Sequence, residues 1–154
     1  MVELLVVIAI VAVAVGLVTA ALPDGDAGRL EEEAARLSAL LERARTESRV
    51  AGVPVRWQPA APGNGFVDAE GRALHFRFAG LPPRVEMPTR WLDARVSAQV
   101  VGAPTLLLGP QAILPAQRVV LSLGDRRVEL ATDGLGPFSV PEAAPPAAAE
   151  GARP

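Results

Sequence analysis

The sequence contains no cysteine and no lysine, and it has a single histidine in 154 residues. Without cysteine there can be no disulfide framework, thiolate metal site or cysteine nucleophile. All fifteen basic residues are arginine, and the net charge of −2 gives no overall field toward nucleic acid or an anionic surface. The length leaves room for one compact domain plus an anchor, so a two-domain enzyme is not expected.

Catalytic motifs are also missing. No nucleophile with its base, metal-ligand cluster or phosphate-binding loop can be found along the chain. His75 has no nearby acidic cluster, and we expect a surface or cross-strand residue rather than a metal ligand. We therefore predict no catalytic residue, no metal site and no cofactor, and we interpret the chain as a protein that is not an enzyme. Trp57 and Trp91 are expected to pack in the core or across strands, with partner contact as the alternative.

The N-terminal segment is apolar. Leu4 to Leu22 is a run of nineteen uncharged residues, which as a helix would span roughly 28 Å, enough to cross a bilayer. A secretory signal peptide is the alternative, but signal peptides carry a basic stretch before the apolar run. Here the only charged side chain before the run is the acidic Glu3. We therefore predict a transmembrane anchor over residues 1–22, with Glu3 as a functional residue because a carboxylate in lipid is costly.

The residues around Glu3 carry a specific resemblance. Val2-Glu3-Leu4-Leu5-Val6-Val7-Ile8-Ala9-Ile10 is similar to the start of mature type IV pilins and pseudopilins, which usually begin Phe-Thr-Leu-Ile/Val-Glu-Leu-Leu. In that family a prepilin peptidase removes a short basic leader ending in Gly, and the new N-terminal residue is methylated. The resemblance implies that Glu3 pairs with the terminal amine of a neighbouring subunit during assembly. Met1 occupies the place of the third mature residue, so we expect the leader and cleavage site upstream of it, in a longer precursor.

A break and then an amphipathic helix are predicted next. Residues 23–28, Pro-Asp-Gly-Asp-Ala-Gly, predict a kink or linker at the membrane exit rather than a calcium loop. Residues 29–52 predict a helix ending at Gly52 as a left-handed cap. The helical ion pairs of Glu32 and Glu33 with Arg36, and of Arg43 with Glu47, are predicted to form a solvated face. The small and apolar residues of this helix recur at spacings of three and four and should form the buried face: Leu30, Ala34, Leu37, Leu41, Ala44, Ser48 and Ala51.

Residues 53–140 predict an antiparallel β-domain, because short alternating runs are separated by Pro and Gly. Gly124-Asp125 is a candidate type II′ turn of a hairpin. Residues 141–154, rich in Ala and Pro, predict a disordered tail. The candidate strands are Pro54–Gln58, Gly65–Asp68, Leu74–Phe78, Arg84–Met87, Thr105–Leu108, Arg118–Leu123, Arg127–Ala131 and Gly136–Val140.

Two further segments narrow the resemblance. Residues 44–57, at the helix-to-strand junction, and residues 133–138, near the end of the domain, resemble the GspH/FimT branch of the pseudopilins. The expected fold class is therefore α+β and pilin-like, with a long N-terminal helix, first transmembrane and then amphipathic, packed on a C-terminal antiparallel β-domain.

The function implied by this resemblance is that of a minor pseudopilin, a structural subunit of the periplasmic pseudopilus of a type II secretion system. The implied location is the bacterial inner membrane, single-pass, with the C-terminal domain in the periplasm. The implied partners are other minor and major pseudopilins, the inner-membrane secretion platform, membrane lipid and, for a longer precursor, prepilin peptidase. One alternative is a minor type IV pilin of FimT type, acting in pilus assembly or DNA uptake, although nucleic acid is not an expected partner. The other is an unrelated single-pass periplasmic protein.

Overall fold

The computed structural model describes residues 25–141 except 62 and 64. Within these residues one helix is followed by eight short strands, which pair antiparallel in three sheets. The α+β class predicted from the sequence is confirmed. Glu3, the predicted span Leu4 to Leu22 and the predicted tail beyond Pro141 lie outside the described residues.

Helix α1 spans Gly25–Ala51. Its buried side chains follow the predicted stripe from Leu30 to Ser48, because residues three and four apart share one face of a helix. Gly52 follows with a φ of 66°, and the Val53 N–H donates to the Ser48 carbonyl at 3.2 Å. This is the hydrogen bond of a Schellman motif, so the predicted left-handed cap is confirmed.

Across residues 25–141, no helix combines the length and the apolar character that a bilayer crossing requires.

The helix includes part of the predicted linker. Residues 25–28 were predicted to be kinked or unwound, but they are helical, while Pro23 and Asp24 lie outside the described residues. Each glycine in a helix costs about 1 kcal/mol relative to alanine. Asp26 offsets this cost, because a carboxylate in the first turn interacts favourably with the helix dipole and because it accepts a hydrogen bond from Arg95 at 3.0 Å.

The strands form two three-stranded sheets and one hairpin. In the first sheet β1 is central, in the order β4-β1-β6, and in the second β7 is central, in the order β5-β7-β8. Strands β2 and β3 pair with each other. The bounds are β1 Arg56–Pro59, β2 Phe66–Val67, β3 Ala73–Leu74, β4 Phe76–Ala79, β5 Ser97–Val100, β6 Leu106–Leu107, β7 Gln117–Leu123 and β8 Arg126–Thr132.

The core lies between helix α1 and the inner faces of the sheets. The helix packs on β7 and β8, and alternate residues of β7 are fully buried because successive side chains point to opposite faces of a strand. Those inner residues are Val119, Leu121 and Leu123. The apolar stripe of the helix therefore has a sheet against which it is buried, as the sequence predicted.

An aromatic cluster joins the first sheet to the rest of the core. The ring of Trp57 lies 5.8 Å from Phe76 and 6.4 Å from Trp91, and Phe76 lies 4.5 Å from Trp91. These separations are typical of favourable aromatic pairs. The prediction that both tryptophans pack inside the domain is confirmed.

The predicted hairpin is also confirmed. Leu123 pairs with Arg126 in the β7–β8 ladder, which leaves Gly124-Asp125 as a two-residue turn. Gly124 has a φ of 57°, and no described residue other than glycine has a positive φ. A positive φ at the first central residue alone is the signature of a type II′ turn.

Other strand predictions are wrong or shifted. Arg84–Met87 is not a strand, because prolines on both sides remove ladder donors and the Val85 N–H instead closes a turn on Pro82. Strand β5 was not predicted. Its four residues, Ser-Ala-Gln-Val, do alternate polar and apolar side chains, but the run is short and its apolar members are only Ala98 and Val100, and the strand forms by pairing with β7.

Two predicted strands are interrupted. Leu74–Phe78 is divided at His75, so Leu74 pairs with β2 and Phe76 with β1. Gly136–Val140 contributes only a single bridge, from Ser139 to Ala131. Pro137 has no N–H to extend that bridge into a strand.

Candidate functional site

The described residues contain no obvious catalytic or metal centre. Between residues 25 and 141, no group of three or more His, Cys, Asp or Glu could hold a metal ion. The predicted assembly residue Glu3 and the predicted span lie outside the described residues. The buried charged residues of helix α1, Glu33 and Arg45, are therefore the features of the described domain that need a physical explanation.

His75 has a structural task. Its Nδ1 accepts a hydrogen bond from the Trp91 N–H at 2.9 Å, while its own backbone N–H donates to Thr89 and its carbonyl accepts from Ala60, both at 2.8 Å. The Nδ1 lone pair is thus used to orient Trp91. His75 is half-buried at the break between β3 and β4.

Glu33 lies on the buried side of helix α1 and holds one loop. Its side chain is only 2% exposed, so the prediction that the helix charges form a solvated face is wrong at this residue. One carboxylate oxygen accepts the backbone N–H groups of Leu92 and Asp93, the latter at 3.1 Å. The other accepts from Arg36 at 3.3 Å. A buried carboxylate is tolerated when it is hydrogen-bonded in this way.

We name residues 90–95 the proximal loop, because it packs beside the N-terminal half of helix α1. Besides its contacts with Glu33, it is held by Arg36, which donates to the Arg90 carbonyl at 3.1 Å. Arg95 donates to Asp26 at 3.0 Å and to Asp93 at 2.8 Å, and Arg29 lies 3.6 Å from Asp93.

This network acts on the acidity of Asp93. The side-chain hydrogen bond from Arg95, supported by the Arg95 backbone N–H, lowers the pKa of Asp93 to about 2. Both contacts stabilise the ionised carboxylate. Asp93 therefore stays charged at and well below neutral pH, and the proximal loop keeps its ion pairs there.

Arg45 is the second buried charge, and its side chain is 3% exposed. It donates to the carbonyls of Gly136 at 2.9 Å, Gly134 at 2.8 Å and Ala112 at 3.5 Å. Glu42 lies 3.7 Å away on the same helix. We name residues 112–115 and 133–136 the distal loops, since Arg45 binds both of them near the C-terminal end of helix α1.

The burial of Glu33 and Arg45 was not predicted from the sequence, although a signal was present. Glu33 follows Leu30 by three residues and precedes Leu37 by four, while Arg45 follows Leu41 by four and precedes Ser48 by three. Both therefore lie at the border of the predicted apolar stripe. The charge of Glu33 favoured a solvated position in the prediction, whereas the helical positions of both residues place them beside the buried face.

A groove of about 880 Å³ lies on the outer side of the second sheet. Its lining is polar and apolar in mixture and includes no carboxylate. The groove therefore offers no carboxylate pair for general acid and base catalysis. The side chains with polar groups that line it are Gln58, His75, Trp91, Ser97, Gln99, Ser122 and Arg127.

Most arginines with defined contacts are paired with acids. Six of them lie within 4.0 Å of a carboxylate oxygen: Arg29, Arg36, Arg45, Arg72, Arg95 and Arg118. A surface that binds phosphates needs clustered basic groups whose charge is not already offset. Because the charge of each of these six arginines is offset by a carboxylate, the six do not form such a surface.

Comparisons with protein-family models, with curated proteins and with solved structures each found no significant match.

Proposed function

We propose that the chain is a minor pseudopilin, a structural subunit of the periplasmic pseudopilus that helps to drive protein export through a type II secretion system. The observation that carries the proposal is the acidic Glu3 at the head of nineteen uncharged residues. A membrane anchor needs no carboxylate at that place. A subunit that assembles inside the membrane does need one, to match a cation on its neighbour.

The described domain supports this proposal through its architecture. A helix of 27 residues presents one apolar face to antiparallel sheets, which is the arrangement that the resemblance implies for the soluble half of a pilin-like helix. Such a helix is about 40 Å long. In the proposed subunit this helix would continue from the predicted span and connect it to the β-domain.

The two segments that resemble the GspH/FimT branch also meet in space. Residues 44–57 contain Arg45, and residues 133–138 contain the two carbonyls that Arg45 binds at 2.8 and 2.9 Å. Ser38 adds a hydrogen bond from its hydroxyl to the Phe138 carbonyl at 2.5 Å. The two segments that carry the resemblance therefore contact each other directly in the folded domain.

In the proposed mechanism Glu3 acts during assembly. The carboxylate pairs with the N-terminal amine of an adjacent pseudopilin, so that two charges that are costly in lipid offset each other. The secretion platform then extracts subunits from the inner membrane into a short fibre, and the β-domains form its surface. Prepilin peptidase would first have to process a longer precursor.

A minor type IV pilin of FimT type is the second candidate, since it would share the anchor and the fold. DNA uptake is the less favoured part of that candidate, because six arginines of the described domain are already paired with carboxylates. Binding of duplex DNA that weakens steeply with salt would reverse this preference.

The proposal is tested by Glu3→Ala in the natural precursor, with Glu3→Asp as the matched control that keeps the charge. We expect Glu3→Ala to reach the membrane at the normal level but to lose incorporation into the pseudopilus by at least about tenfold, because an unpaired amine remains in lipid. Cross-linking to sibling subunits and secretion of a substrate are the two readouts. Normal incorporation and normal secretion by Glu3→Ala would show that the assigned role of Glu3 is wrong.

A further inference from the structure

The proximal loop displays an apolar side chain although its backbone is firmly held. Leu92 is 63% exposed, whereas the preceding Trp91 is 6% exposed and lies in the aromatic cluster. The N–H groups of Leu92 and Asp93 are both bound by the buried carboxylate of Glu33. A loop held this closely cannot turn Leu92 inward without breaking those bonds, so its exposure is built into the fold.

The proximal loop lies at the end of helix α1 that follows the predicted span. Arg95 of the loop binds Asp26 at 3.0 Å, and Asp26 is four residues after Leu22. Even a fully extended chain would place the Cα atoms of these two residues no more than about 14 Å apart. The headgroup region on each side of a bilayer is about 5–8 Å thick, which leaves the loop within reach of the membrane surface.

The charges of the proximal loop suit a lipid surface. Its one carboxylate, Asp93, is paired with Arg95 at 2.8 Å and with Arg29 at 3.6 Å. Arg90 is exposed and forms no ion pair with any described residue. The loop thus presents one apolar side chain and one unmatched guanidinium, and it has no unpaired carboxylate of its own.

We propose that the proximal loop rests on the membrane surface, with Leu92 inserted among the lipid headgroups and Arg90 bound to a lipid phosphate. Insertion removes apolar surface from water, while a long arginine side chain can extend to the phosphate level. The contact would fix the orientation of the β-domain relative to the membrane before assembly. This inference rests on the proposed function, because it requires the anchor over residues 1–22.

The distal loops provide an internal contrast. Ile113 and Leu135 are 70% and 65% exposed, but their loops are bound by Arg45. Arg45 follows Asp26 by nineteen residues, which is about 28 Å along the helix. If exposure of an apolar side chain alone decided membrane contact, these residues would behave like Leu92.

The test uses the full chain, which has no cysteine and therefore accepts a label at one chosen position. Leu92→Cys and Ile113→Cys, each carrying a nitrobenzoxadiazole label, are reconstituted in nanodiscs of phosphatidylcholine and phosphatidylglycerol that contain nitroxide headgroup lipids. We expect at least about twofold stronger quenching at residue 92 than at residue 113, because only the proximal loop reaches the interface. Equal, weak quenching at both residues would overturn the inference.

A third label separates this inference from the proposed function. Val13→Cys lies in the predicted span and should be quenched by nitroxides placed on the acyl chains. Quenching at residue 13 without quenching at residue 92 would overturn the membrane contact and leave the anchor intact. No quenching at residue 13 would overturn both. If the fluorescence of the label at residue 92 changes only after sibling subunits are added to the nanodiscs, the proximal loop makes a protein contact, and the inference is also overturned.

The guanidinium is tested in the same system. Arg90→Gln in the labelled Leu92→Cys chain should reduce quenching at residue 92, whereas Arg84→Gln should not, since Arg84 is also exposed but belongs to another loop. Equal quenching in both variants would show that Arg90 does not bind lipid phosphate.

Discussion

Replacing Gly134 with alanine is expected to destabilise the domain by at least about 3 kcal/mol, or to prevent it from folding. Gly134 has a φ of 93°, a conformation that an L-residue adopts only with strain. A Cβ at this position would also lie 1.8 Å from the Leu114 carbonyl oxygen. Relief would require separating the two distal loops, which would weaken the 2.8 Å hydrogen bond from Arg45 to the Gly134 carbonyl.

Gly102→Ala is the matched control for this substitution. Gly102 also has a positive φ, of 76°, but an added Cβ there meets nothing within 4 Å. Its expected cost is about 1 kcal/mol, from the left-handed backbone alone. Urea unfolding followed by tryptophan fluorescence reports on both variants, because Trp57 and Trp91 are buried. Similar losses in the two variants would contradict the predicted close approach of Gly134 to Leu114.

Arg45→Met is expected to cost about 2–4 kcal/mol of unfolding free energy. Methionine fills similar space but leaves the Ala112 carbonyl and the Glu42 carboxylate without the guanidinium. The Gly134 and Gly136 carbonyls each keep one other donor, Leu114 N–H at 3.2 Å and Thr132 Oγ1 at 2.8 Å. Because these two carbonyls keep a hydrogen bond each, the expected loss of unfolding free energy is not larger.

The control for Arg45→Met is Arg43→Met on the same helix. Arg43 is exposed and forms no ion pair with any described residue, so its replacement should change the unfolding free energy by less than about 0.5 kcal/mol. Arg45→Lys should fall between the two, because one ammonium group cannot reproduce the fork by which the guanidinium reaches the Gly134 and Gly136 carbonyls together. The account of Arg45 would be wrong if Arg45→Met and Arg43→Met unfolded at the same urea concentration.

The predictions that succeeded are those in which local sequence and tertiary packing agree. The apolar stripe from Leu30 to Ser48, the cap at Gly52 and the β7–β8 hairpin each have a short-range signal that matches the final structure. In these places the residues that define the element also bury it. Local preference then predicts the structure without knowledge of the partners.

The failures arise where a distant partner decides. Strand β5 and Arg84–Met87 both alternate over four residues, but β5 pairs with β7, whereas Arg84–Met87 is flanked by prolines and pairs with no strand among the described residues. Glu33 was assigned to a solvated face and the burial of Arg45 was not predicted, because charged residues are usually exposed. Their burial depends on backbone groups more than fifty residues away in the chain, which periodicity alone cannot reveal.

The central claim is tested most directly by mass spectrometry of the N-terminal peptide from the natural protein, purified from the membranes of its source organism. A pseudopilin should begin two residues before Met1 and carry a methyl group on its terminal amine, so that Glu3 is the fifth residue of the mature chain. A mature protein that begins at Met1 without methylation would contradict the proposal, because such a chain has not been processed as a prepilin.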